Sequence, residues 1–144
     1  MGPAKAPTAT AVRGAWAASL NAAADRRPVV FHRGDQGFVL LLASLLRDVL
    51  HHALPAPEVV AEDGGWTVLL PGFPVAADGA TLEEALRDFV SALRDYADVW
   101  DDRLHRAVNH QHAAALVQHV YVSDDAELLA WARGPVDQQV RRQT

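Results

Sequence analysis

The sequence predicts an α+β protein of two small modules joined near Pro55, with three observations behind that expectation. A single apolar stripe runs along a helix from Thr81 to Leu104. Short β-rich runs split by Gly and Pro turns precede it. The front of the chain repeats the theme in miniature, as helix, hairpin and helix. Charge divides along the same boundary. Residues 1–54 hold six Lys/Arg against three acids, residues 55–134 hold five against fourteen, and the last ten hold two against one, which together make the net charge of -5. A cationic front and an anionic back suit two partners of opposite charge, a nucleic acid and a basic protein; two ordinary solvated surfaces are the plainer reading.

Composition narrows the class. Half of the 144 residues are apolar, which argues against disorder, and there is no cysteine for disulfides or thiolate chemistry. That usage suits a reducing, cytoplasmic setting. No apolar run approaches the length of a membrane span.

In chain order, residues 1–10 carry two Pro and no periodicity, and are expected to form a mobile arm. Val12, Trp16, Leu20 and Ala23 then mark a helix over 11–24 that Thr10 would cap and Pro28 would end. Gly14 inside it costs about 1 kcal/mol relative to Ala. Val29–His32 and Phe38–Leu42 predict a hairpin around Arg33-Gly34-Asp35-Gln36-Gly37. Both runs are apolar on successive residues, so both faces of that sheet should be covered, by the helices or by a second subunit. Ser44 would cap a helix over 45–54, stopped by Pro55.

In the second module, Trp66, Val68 and Leu70 alternate as one face of a strand after the Asp63-Gly64-Gly65 turn. Thr81 and Glu84 form a capping box, and Leu82, Ala85, Leu86, Phe89, Leu93, Tyr96, Ala97, Trp100 and Leu104 make the stripe. The helix is expected to reach Val108, with Asn109 in a left-handed turn. Residues 116–123 are β-rich and predict a closing strand. Asp124 and Glu127 would start a short helix with Leu128, Leu129 and Trp131, closed by Gly134-Pro135, and residues 135–144 would form a flexible tail.

Two stretches resemble known families. Residues 62–71, EDGGWTVLLP, followed by Thr81-Leu82-Glu83-Glu84-Ala85-Leu86, are similar to the HicB-type antitoxin domain, a β-β-β-α-β layer that binds a toxin; the likeness spans roughly 57–122. Residues 27–34, RPVVFHRG, then Gln36 and Phe38–Leu41, resemble the N-terminal module of Phd/YefM ("prevent-host-death") antitoxins over about 10–54. That family dimerises through its sheet and presents helix and loop residues to DNA. The chain departs from it in two places: residues 1–10 contain no apolar strand, and His32 stands where a small hydroxyl residue is common.

Together the resemblances imply a type II antitoxin. Residues 1–54 would dimerise and bind operator DNA, autorepressing the operon, and a folded domain over 57–134 would sequester a basic, RNase-type toxin. Phosphate contacts would come from Lys5, Arg13, Arg26, Arg27 and Arg33, with His32 and Gln36 reading base edges. The toxin would meet Asp95, Asp98, Asp101 and Asp102, with Trp100 and Trp131 as anchors unless those tryptophans belong to the core. A DNA-binding regulator whose acidic domain senses a ligand or oligomerises is one alternative. A metal-dependent nuclease using Glu58, Glu62, Asp63 or Asp78 is another. No enzyme motif is present, no cofactor is implied, and the spacing of His105, His110, His112 and His119 matches no recognised zinc set.

Overall fold

The computed structural model describes residues 6–143, and its backbone separates into two compact units, residues 1–46 and 47–144. In the first unit, α1 (Ala9–Gly14) and α2 (Trp16–Ala24) precede an antiparallel hairpin of β1 (Val29–Arg33) and β2 (Gln36–Leu40). The expected single helix is broken at Ala15, whose φ of -119° and ψ of 38° leave the helical region. Gly14, the weakest helix former of the run, ends α1 there. The cap is Thr8 instead of Thr10: its hydroxyl accepts from the Ala11 N–H at 3.1 Å. Pro7 and Thr8 also touch β1, as a Thr8–His32 bridge with the His32 N–H donating to the Pro7 carbonyl at 2.9 Å.

α2 ends in a Schellman motif, the Arg27 N–H bonding the Ala22 carbonyl and the Arg26 N–H the Ala23 carbonyl. Arg26 sits at its left-handed position, φ 63°. The hairpin is tighter than expected. Arg33 pairs with Gln36, leaving only Gly34 and Asp35 in the turn, and Gly34 supplies the positive φ of 58° that two-residue hairpins require. Phe31 pairs Phe38 on one face and Val30 pairs Val39 on the other. Val30 and Val39 remain more than half exposed among the described residues.

α3 (Ala43–Ala53) starts two residues before the expected start at Leu45, and Ser44 lies inside it, so it is no N-cap. Placed with the front module by sequence, this helix nevertheless contributes Arg47, Leu50 and His51 to the second unit. There β3 (Glu58–Glu62), β4 (Gly65–Leu69) and β5 (Ala76–Gly79) form an antiparallel sheet in that order. α4 (Leu82–Asp102) lies on it, begun by the expected capping box: Thr81 Oγ1 accepts from the Glu84 N–H while the Glu84 carboxylate accepts from the Thr81 N–H. Its stripe of Ala85, Leu86, Phe89, Leu93 and Ala97 is fully buried against Val68, Leu70 and Val75. Each such large side chain contributes roughly 1.5–3 kcal/mol of burial.

Helix and sheet meet closely because Gly79 ends β5. A Cβ there would stand 2.4 Å from the Ala85 nitrogen and 2.9 Å from Glu84 Cβ, and one on Gly65 would stand 2.7 Å from the Gly79 carbonyl oxygen.

Beyond α4 the sequence expectations need correction. α4 stops at Asp102, and 3-10 turns at Leu104–Arg106 and Val108–Ala113 follow. Asn109 is not left-handed, since Arg26 is the one non-glycine residue with positive φ among the described residues. The expected closing strand is α5 (Ala114–Tyr121). Ala113, Leu116, Val117 and Val120 are all buried, steps of three, one and three that only a helix turns to one side. Two arginines satisfy the carbonyls at its end: Arg94 binds those of Val120 and Ser123 at 2.7 and 2.8 Å, and Arg47 that of Val122 at 2.6 Å. The HicB-like β-β-β-α-β order therefore lacks its last strand here.

α6 (Asp125–Gln143) starts where expected, with Asp124 Oδ1 accepting from the Glu127 N–H at 2.8 Å. It does not stop at Gly134-Pro135; Pro135 withholds one N–H and the helix continues past it. Leu128, Trp131 and Ala132 anchor its first half in the core.

His119 is 2 % exposed, edge-on to Trp131 at 4.7 Å, with neither ring nitrogen hydrogen-bonded among the described residues. Burial, then the neighbouring His51 and Arg47, lower its pKa to about 4.

Two predictions follow from this packing. Gly79→Ala will destabilise the second unit by about 1–3 kcal/mol, because the atoms in the way are backbone, whereas Gly14→Ala, with nothing within 4 Å of its Cβ, will not destabilise the first; urea unfolding of each variant measures both. His119 is held neutral, so its contribution is intact above pH 6.5 and drains away as the pH falls towards 4 and the unfolded chain takes up the proton first. Between pH 7 and 4.5 the wild type should lose roughly 2 kcal/mol more than His119→Leu does. Equal losses in the two proteins would refute this.

Candidate functional site

The first unit gathers cations and aromatics on one side of its hairpin. Phe31 stacks on Phe38, centroids 5.6 Å apart, because the register sets them opposite each other. The Arg33 guanidinium lies over Phe38, 5.7 Å from the ring centre, which orients it without neutralising it. Gln36 is opposite Arg33 in the same register. Arg13, in the last turn of α1, lines an apolar cleft of about 480 Å³ with Ala9, Val12, Trp16 and Phe31. Arg13, Phe31, Phe38, Arg33 and Gln36 thus follow one continuous surface.

The other expected contacts lie elsewhere. His32 alternates to the opposite face of β1, and its Nδ1 is 3.3 Å from the Gly34 carbonyl. Arg26 and Arg27 occupy the turn before β1, at the far end of the strand from Arg33, and Arg27 pairs with Asp25 at 3.4 Å with both groups largely exposed. Lys5 lies outside the described residues. The apolar members of this surface are not among the residues that the sequence predicts for it. Trp16 is 51 % exposed, Leu20 44 %, and Phe38 39 %. The available signal was the run of apolar residues on both strands, too many for one buried face.

The second unit presents acids. Asp95, Asp98, Asp101 and Asp102 are all exposed on α4, and none has an ion-pair partner among the described residues. Elsewhere in this unit Arg94 pairs with Asp125 at 2.8 Å, Arg133 with Glu83 at 2.6 Å, and Arg47 with Glu127. Tyr121 stands 54 % exposed beside this face, its hydroxyl donating to the Ala97 carbonyl at 3.5 Å. Burial first, then Asp101 and Asp98, raise its pKa. The sequence does not point to Tyr121, because its β-rich surroundings predict a strand there.

The two expected tryptophan anchors are placed differently. Trp131 is 5 % exposed within the core. Trp100 is half-buried, and its Nε1 donates to the His110 carbonyl at 3.2 Å. Both serve the interior of this unit.

The histidines are spread over separate structural contacts. His110 Nδ1 is 2.8 Å from the Tyr96 hydroxyl, whose pKa burial raises; His112 stacks on Phe73, and His105 Nδ1 is 3.2 Å from the Trp100 carbonyl. Among the described residues no group of three or more His, Asp or Glu converges to hold a metal ion. Nor does any described helix have the length and apolar character to cross a membrane.

A crystal structure of an antitoxin part of a candidate toxin/antitoxin system from Syntrophomonas wolfei subsp. wolfei superposes with a TM-score of 0.73. It covers 89 % of this chain and 96 % of that one at 17 % identity, so the two share a fold. No curated protein matches the chain. The PHD_like family, described as antitoxin of toxin-antitoxin, RelE/RelB, TA system, matches residues 4–126, most of the chain. Matched by that family model over most of its length, this chain belongs to that family of antitoxins.

Proposed function

We propose that the two units divide the work of an antitoxin, the first dimerising and binding operator DNA in the manner of Phd/YefM modules, the second neutralising a basic toxin in the manner of a HicB-like domain. The observation that supports this reading is the separation of exposed charge. The first unit holds five Lys/Arg against two acids, and the second eight Lys/Arg against sixteen acids. Autorepression of a shared operon would follow, in the cytoplasm, with no cofactor required.

DNA binding would use the surface of Arg13, Arg33 and Gln36. The guanidinium groups meet phosphate oxygens, and Gln36 beside Arg33 reaches base edges. The exposed apolar residues Val30 and Val39, on the face of the hairpin opposite Phe31 and Phe38, supply area that a second copy would bury, which supports a homodimer. On the second unit the carboxylates of Asp95, Asp98, Asp101 and Asp102 would steer a cationic toxin, and the exposed ring of Tyr121 would replace Trp100 and Trp131 as the anchor.

Binding of the full chain to duplex DNA from its own upstream region, measured by fluorescence anisotropy at several salt concentrations, tests the first half. The log–log slope for Arg13→Ala/Arg33→Ala should be shallower by about 1.8 per bound chain, the loss of two phosphate contacts. A salt-independent wild type rules out DNA binding. For the second half, the basic protein encoded beside this chain should bind Asp98→Lys/Asp101→Lys at least about tenfold more weakly, chiefly through a slower association rate. Unchanged kinetics would remove α4 from the toxin interface.

A further inference from the structure

Operator binding gives the cations of the first unit a role but leaves the rings beside them without one. Trp16 is 51 % exposed and Phe38 39 %. Phe31, partly buried, links the two: it lines the cleft with Ala9, Val12, Arg13 and Trp16, and it stacks on Phe38. Large rings left in water cost free energy that a ligand covering them would recover. A duplex offers them little, because its bases are stacked on one another and show only their edges in the grooves. A single strand presents the faces of its bases, and rings interleaved with arginines are the surface on which such faces stack.

We propose that this surface binds single-stranded nucleic acid, with one unpaired base in the cleft against Trp16 and Phe31 and a neighbouring base against the Phe38–Arg33 pair. This goes beyond the operator reading, since what is recognised is the face of a base and not a duplex. The cleft, about 480 Å³, falls within the roughly 300–1,000 Å³ of small-ligand sites. Val12, 5 % exposed, gives it an apolar wall, and Arg13 is its one charged lining residue. An aromatic slot with a cation and no acid suits a planar ring that carries a phosphate. Arg33, 5.7 Å over the centre of Phe38, repeats the pairing of ring and cation. Neither guanidinium has an ion-pair partner among the described residues. A second copy suits the cleft less well. It would bring another unit with five Lys/Arg against two acids up to Arg13, and the apolar area for a dimer, Val30 and Val39, lies on the opposite face of the hairpin.

Fluorescence anisotropy of the full chain tests this with labelled oligo(dT), oligo(rU) and a mixed-sequence duplex, each of about 12 nucleotides per strand, at about 0.15 M salt. The tighter of the two single strands, which identifies DNA or RNA as the source of the bases, should bind at least about fivefold more tightly than the duplex. Trp16→Leu and Phe38→Leu keep apolar bulk and remove a ring. Each should weaken binding of that strand by about tenfold with its salt slope unchanged, whereas Arg13→Ala should make the slope shallower by about 0.7. Trp16→Phe, which restores a ring, should stay within about threefold of the wild type, and Phe38→Leu decides alone should Trp16→Leu fail to fold. The proposal is overturned if neither single strand binds more tightly than the duplex, or if the leucine variants bind as the wild type does. It is equally overturned if Trp16→Leu turns a dimer into a monomer in sedimentation while strand binding persists, which would give the cleft to a second copy. Tight duplex binding with no strand binding leaves the operator reading standing; strand binding with no duplex binding removes that reading and leaves this one.

Discussion

The second unit depends on the close seating of α4 against the end of β5. Gly79 lets the backbone of the sheet approach the Ala85 nitrogen more nearly than any side chain would permit, and the Thr81–Glu84 capping box fixes where the helix begins. With its origin set, the apolar stripe of α4 falls on Val68, Leu70 and Val75 without slippage, since a shift of one residue would rotate the stripe by about 100°. α5 and α6 then complete the core beside α4, through Leu116, Val120, Leu128 and Trp131.

The same packing decides which charges remain for a partner. Arg94 turns inward to hold the carbonyls that end α5 and to pair with Asp125, and Arg47 does likewise at Val122 and Glu127. The aspartates of α4 have no ion-pair partner among the described residues. The anionic character of this unit follows from its composition, sixteen acids against eight Lys/Arg. In the first unit, by contrast, the hairpin register spreads Arg33, Phe38 and Phe31 along one face and leaves the guanidinium free to act.

His119 and Arg26 depart from local expectation in ways that differ in kind. His119 has its ring nitrogens buried without partners and is kept neutral by desolvation, a cost borne inside the core. Arg26 has its left-handed backbone at the surface, where its side chain has no hydrogen-bond or ion-pair partner among the described residues.

Local physics made much of this legible from the residues alone. The capping box, the stripe of α4, the Gly-bearing turns and the hairpin each draw on neighbours within a few positions, so spacing and residue type sufficed. The division of charge was equally visible, being a property of composition. The structure alone decided the conformation of residues 116–123, whose Val and Tyr content favours a strand while Arg94 and Arg47, distant in sequence, stabilise the end of a helix. It also decided that Trp131 faces the core while Tyr121 faces solvent, and that α3 supplies side chains to the second unit. These outcomes turn on contacts between residues far apart in the chain, and no local pattern encodes which distant partner a helix end or an aromatic ring will meet.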